Sequence, residues 1–122
     1  MRSNIENLKL LENKKLLLCI SGGIDSIFLY HKIIKSKSKY NLKIGLAHVN
    51  YNSSSKSINS MNLCRELSRS NNHPFYLKIY NKKIDSNFEH LAREFRYDFF
   101  DSVKKVENYD YILTAHNKND LL

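Results

Sequence analysis

Hydrophobic and polar positions divide the chain into two alternating kinds of segment. Residues 15–20 (KLLLCI) and 42–49 (LKIGLAHV) are short, nearly continuous apolar runs, the pattern of strands covered on both faces. Residues 75–80 (FYLKIY) alternate, with Phe75, Leu77 and Ile79 expected on one face, and residues 109–115 (YDYILTA) make a fourth strand. Helical spacing fills the gaps at 24–35, 55–70 and 87–106. In the last of these, Phe88, Leu91, Phe95, Phe99, Val103 and Val106 recur at three- and four-residue steps, and the opposite stripe carries Glu89, Arg93 and Arg96. In the middle helix Ile58, Met61, Cys64 and Leu67 are the core candidates, and Asn71-Asn72 is a natural stop. Strands alternating with helices of this size predict βαβ units with right-handed crossovers, hence an α/β fold with an open parallel sheet and flanking helices. The pattern reaches Leu122 directly after the fourth strand and its loop, where an α/β chain opens a helix, so the expected sheet is incomplete.

Composition narrows the classes without choosing one. The 122 residues are less than one average domain, and three Gly and one Pro exclude a collagen-like or Pro/Gly-rich disordered chain. Twenty Lys and Arg against twelve Asp and Glu give a net charge of +8, which suits a polyanionic partner. A chain rich in Asn, Lys, Ile and Tyr and poor in Ala reaches the same charge through biased base composition. The longest apolar run, 16–20, is far short of the roughly 20 residues of a membrane span, and residues 1–6 lack the apolar segment of a signal peptide. The expectation is a cytoplasmic protein with no membrane partner. Cys19 and Cys64 form no CxxC pair and read as buried thiols.

The chemistry begins after the first strand, with Ser21-Gly22-Gly23-Ile24-Asp25-Ser26 followed at once by a helix. Ligands of open α/β sheets gather at the carboxyl ends of strands. Glycines let backbone N–H groups approach a ligand, the helix start is an anion site, and the hydroxyls of Ser21 and Ser26 add donors. Asp25 is informative, because a carboxylate beside phosphates repels them unless Mg²⁺ lies between. The GK[ST] of a Walker A loop and the spacing of GxGxxG are both absent.

SGGxDS resembles the pyrophosphate-loop signature of the N-type ATP pyrophosphatases, the PP-loop family. The resemblance implies that ATP is cleaved between its α and β phosphates, that the loop (Ser21, Gly22, Gly23, Ile24, Asp25, Ser26) holds the pyrophosphate, and that an acceptor oxygen takes AMP. It also implies an adenine nucleotide alpha hydrolase-like, Rossmann-like fold, with residues 1–122 as the N-terminal part of the adenylation domain.

Three further stretches resemble the lysidine synthase branch of that family. His48-Val49-Asn50-Tyr51 is similar to H-V-[DN]-[HY], at a strand end where an adenine or ribose could rest on His48 and Asn50. Asn87 to Tyr97 (NFEHLAREFRY) is similar to N-x-E-x-x-A-R-x-x-R-Y, which gives Arg96 a role in stabilising charge on the phosphates. Thr114 to Asp120 (TAHNKND) is similar to T-A-H-x-x-[DN]-D; His116 would donate to phosphate or acceptor oxygen, and Asp120 would hold Mg²⁺ with Asp25 or orient an amine. The implied catalytic set is Asp25, Arg96, His116 and Asp120, with ATP and Mg²⁺. The implied substrates are free L-lysine and an isoleucine tRNA with a CAU anticodon. Lysine would be joined to C2 of the wobble cytidine, so that the tRNA reads AUA instead of AUG. A homodimer is compatible with this reading, and lysidine formation by the 122 residues alone is not expected. The chain departs from the family in Asn119, where Asp is common, and in Asn52-Ser53-Ser54, where a Gly-Leu-Arg type turn is usual. The alternatives are a tRNA thiolation enzyme on the same loop, although neither cysteine is placed as a sulfur carrier, and a nucleotide-binding fragment without catalysis. A basic RNA adaptor would leave Asp25 in an anion-binding loop unexplained.

Overall fold

The chain runs through a 3-10 turn (Leu8–Leu11), β1 (Lys15–Cys19), α1 (Ile24–Lys35), β2 (Lys43–Asn50), α2 (Ser55–Ser70), β3 (Phe75–Ile79), α3 (Phe88–Val106) and β4 (Tyr111–Thr114). The computed structural model describes residues 8–81 and 87–115. Every strand pair is parallel, and the order is β3-β2-β1-β4. The chain thus steps outward from β1 to β3 and then returns to the other side of β1. The carboxyl ends of β1 and β4 therefore flank a topological switch point, where open α/β sheets bind their ligands.

Strand alternation sorts the core onto two faces. Leu16, Leu18, Ile20, Ile44, Leu46 and Leu113 pack with Leu29, Tyr30 and Ile33 of α1 and Cys64 of α2. Leu17, Cys19, Ala47 and Val49 pack with Phe100 and Val103 of α3 and with Tyr80 and Tyr109. With α1 and α2 on one face and α3 on the other, the α/β sandwich expected from the pattern is formed. Gly45 makes the second face possible: a Cβ there would lie 1.9 Å from the Tyr109 hydroxyl. With only three glycines in the chain, asparagines supply the left-handed turn positions; Asn13, Asn41, Asn52, Asn72 and Asn108 all have φ between 52° and 65°. Asn71 and Asn72 stop α2 as expected.

Three expectations are corrected. Leu91 and Val106 are exposed, while Ala92, Phe100 and Val103 form the buried stripe of α3. That helix is turned about its axis relative to the predicted stripe: Phe100 and Val103 pack with Leu17, Cys19, Ala47 and Val49, and Phe88, Phe95 and Phe99 are only partly buried beside them. The same turn brings Arg96 off the solvent side. On α2, Ile58 is exposed, and Cys64 and Ser68 are the buried positions. On β3, Ile79 is exposed, because an edge strand is covered along only part of its length. No helix among the described residues is long and apolar enough to cross a membrane.

Candidate functional site

The turn from β1 into α1 is built by its own side chains. Gly22 has φ +91°, a conformation an L side chain rarely adopts, and a Cβ on it would meet Ser60 Cβ of α2 at 2.9 Å. Gly22 N–H donates to Ser26 Oγ (3.1 Å), and Ser26 Oγ–H donates to Gly23 O (2.9 Å). Gly23 N–H donates to Ser21 Oγ (3.2 Å), and the two serine hydroxyls lie 3.3 Å apart. Ser26, expected as a phosphate donor, is buried and braces the loop from within. The N-cap of α1 is Gly23, with no side-chain capping bond, so the first-turn N–H groups face outward with the positive end of the helix dipole. Asp25 stands in that first turn, exposed.

A cleft opens beside this loop at the carboxyl ends of β1, β2 and β4. Its floor is Cys19, Ile20, Val49, Thr114 and Ala115; one wall is Ser21 and Ser26; the other is Tyr51, Arg96, Tyr97 and Phe100. The structure therefore brings together the loop and Arg96, which lie 70 positions apart in sequence. The Arg96 guanidinium lies 5.4 Å from the Tyr97 ring centroid, within cation–π range. Burial pushes the Cys19 thiol well up, which the nearby Arg96 charge opposes only in part, so the thiol is neutral. An anion loop facing a guanidinium across aromatic and apolar walls can hold a planar ring and a phosphate chain together.

His48 and Asn50 point to the other side of the loop, into a polar pocket shared with Ser21, Tyr51 and Lys56. His48 Nδ1–H donates to Ile20 O at 2.8 Å, which fixes the strand end that feeds the loop and leaves Nε2 as an acceptor. That Nε2 is buried and has no hydrogen-bond partner among the described residues. Burial lowers the His48 pKa, partly offset by the bond to Ile20. Asn50 Oδ1 accepts from Asn52 N–H at 2.8 Å, turning the chain toward the Ser54 cap of α2. His48 and Asn50 thus shape the loop's surroundings as well as lining a pocket.

His116, Asn119 and Asp120 lie outside the described residues; Thr114 and Ala115 carry the cleft up to that point. Among the described residues no group of three or more His, Cys, Asp or Glu could hold a metal ion. Asp25, a single exposed carboxylate beside an anion loop, does fit Mg²⁺, which takes one or two carboxylates with phosphate oxygens completing its shell. Sequence reasoning did not assign Tyr51, Tyr97, Phe100 or Cys19 to the cleft. Tyr51 and Tyr97 close two of the motifs, which is the only signal that could have found them.

The profile of the PP-loop domain family matches residues 1–122. The tRNA(Ile)-lysidine synthase of Mesoplasma florum is 37% identical over 121 residues, covering 97% of this chain and 30% of that protein. The enzyme of the same name from Streptococcus thermophilus strain CNRZ 1066 is 33% identical over 109 residues, covering 89% of this chain and 25% of that protein. That of Streptococcus pyogenes serotype M1 is 34% identical over 118 residues, covering 88% and 24%. The chain thus spans between 24 and 30% of the length of these relatives. A solved U34-tRNA thiolase from Methanococcus maripaludis superposes with a TM-score of 0.77 at 15% identity, over 95% of this chain and 42% of that one, and shows the same fold.

Proposed function

Because this chain belongs to the PP-loop domain family, we propose that it is the nucleotide-handling part of an ATP-dependent tRNA-modifying ligase, and that the ligase makes lysidine. The observation that carries the reading is the cleft at the switch point, which sets the loop against Arg96. The base of ATP lies between the apolar floor and the aromatic wall. The loop N–H groups, the Ser21 hydroxyl and the α1 dipole hold the β and γ phosphates. Asp25, with Asp120, would hold Mg²⁺, which supplies charge neutralisation on the phosphates. Arg96 faces the α phosphate, where charge develops as the bond to the leaving pyrophosphate breaks.

In the first step the C2 oxygen of the wobble cytidine attacks the α phosphorus, the α–β P–O bond breaks and pyrophosphate leaves. In the second, the amine of free lysine attacks C2, the C2–O bond breaks, AMP departs and the nitrogen loses a proton. His116 and Asp120 are the groups that the family resemblance assigns to these proton and amine roles. The isoleucine tRNA enters the proposal through the relatives' names, and its CAU anticodon through the family resemblance alone. Thiolation is disfavoured by the cysteines: Cys64 is fully buried and burial pushes its thiol up to about 12, so it is no sulfur carrier at neutral pH.

The test is tRNA-dependent exchange of labelled pyrophosphate into ATP by the full-length ligase that carries this segment. Removing one cation that stabilises the transition state, Arg96→Ala, should slow exchange by about 10²–10³-fold with the melting temperature unchanged. Asp25→Asn should abolish exchange while leaving the fold intact, because the carboxylate that would hold Mg²⁺ against the phosphates is gone. Exchange at the unmutated rate in both variants would refute the assignment.

A further inference from the structure

Arg96 can act on phosphates only if its guanidinium is already in place when they arrive. An arginine side chain has many rotamers, and a cation ordered anew at each turnover stabilises developing charge less than one that is preset. What presets Arg96 is legible in its surroundings.

Tyr51 leaves the end of β2 and enters the same cleft. Its ring is clamped in an aromatic cluster, 5.9 Å from Tyr80 and 5.9 Å from Phe88, and Tyr80 is in turn 4.9 Å from Phe95 of α3. The clamp aims the hydroxyl at α3, where it lies 3.5 Å from Ala92 O, one helical turn before Arg96. A phenol oxygen can donate once and accept twice. With its proton directed at the Ala92 carbonyl, the oxygen keeps its lone pairs for a donor, and Arg96, one turn on, lines the same cleft. The hydroxyl responds accordingly: burial raises its pKa, and the charge of Arg96 and a hydrogen bond from it pull the other way. On the far side the guanidinium rests by the Tyr97 ring.

We propose that Tyr51 is a positioning residue that accepts a hydrogen bond from the Arg96 guanidinium and, with the Tyr97 ring, holds that cation over the cleft in the empty protein. This rests on the reading of Arg96 as the cation acting on the phosphates. Tyr51 itself touches no reacting atom.

Tyr51→Phe keeps the ring and its aromatic packing and deletes only the acceptor. Two readouts on the full chain decide the matter. The first is the arginine Nε–H signal that disappears in Arg96→Ala, followed by nuclear magnetic resonance without ligand. In Tyr51→Phe its exchange with water should accelerate toward that of exposed Arg93. The second is pyrophosphate exchange. Tyr51→Phe should lower the maximal rate about tenfold, the scale of one net hydrogen bond, with KM for ATP unchanged. In an Arg96→Ala background the same change should have no further effect, since both act through one group. An unaltered Arg96 signal, or rate losses that multiply independently, overturns the proposal. If the full-length ligase that carries this segment supports no exchange, the adenylation reading fails, and the resonance still decides Tyr51 by itself.

Discussion

Gly22 is the position where one methyl group separates loop geometry from fold. In Gly22→Ala the new Cβ must be carried at φ +91° and set 2.9 Å from Ser60 Cβ and 3.2 Å from Ser60 Cα. The first demand costs about 1–2 kcal/mol for an L residue in the left-handed region. The second is an overpacking term of about 1–3 kcal/mol, because Ser60 is held in α2 and cannot swing aside. The loop that carries this strain is short, partly exposed and braced mainly by the Ser21 and Ser26 hydroxyls. It will shift before the sheet does. Most of the cost therefore falls on ligand affinity: at about 1.4 kcal/mol per decade, even the lower end of the combined range weakens ATP binding more than tenfold. Calorimetric titration with ATP and Mg²⁺, paired with thermal melts, reads both quantities. Adding Ser60→Gly removes the 2.9 Å contact and leaves both the 3.2 Å approach to Cα and the φ strain, so it should recover only part of the affinity. Binding by Gly22→Ala at unmutated strength would refute the reasoning, as would full recovery by Ser60→Gly, which would make the backbone conformation irrelevant.

Two further outcomes test the scaffold. Gly45→Ala places a Cβ 1.9 Å from the Tyr109 hydroxyl and 2.6 Å from its ring carbon Cζ, so Tyr109 must leave its 3.0 Å bond to Tyr76; urea unfolding should show a loss of about 2–4 kcal/mol, and Tyr109→Phe in that background should restore only a part. The buried imidazoles give a pH dependence. His48 and His73 have pKa values lowered chiefly by burial, with the Lys37 charge adding to the effect at His73, so the unfolded chain binds more protons than the folded one below the ordinary histidine pKa of about 6.5. Stability should therefore be level above that pH and fall as pH drops through it, by at most about 1.4 kcal/mol per pH unit for each histidine. His73→Gln should flatten the slope, and equal urea midpoints at pH 7 and pH 5.5 would show that burial is not what sets these groups.

Local information in the sequence determined the elements. Short apolar runs and three-to-four-residue spacing located all four strands and three helices, with the 24–35 and 55–70 segments matching Ile24–Lys35 and Ser55–Ser70. These signals are local because a strand or a helix is a local arrangement of the backbone. The loop was equally legible, since glycines, serines and an aspartate between a buried strand and a helix have few other uses. Only the tertiary structure decided the strand order β3-β2-β1-β4, and with it the place where the chain reverses and a cleft can open. Only it decided which side of α3 is buried. Apolar residues there run round more than half the helix, and periodicity alone cannot say which of them the sheet will cover. Packing against Leu17, Cys19, Ala47 and Val49 buried Phe100 and Val103, left Leu91 and Val106 in solvent, and set Arg96, a candidate by its motif alone, into one wall of the cleft. Tyr51 entered the site the same way. A side chain's partners are fixed by contacts between segments distant in sequence, and no window of the chain contains them.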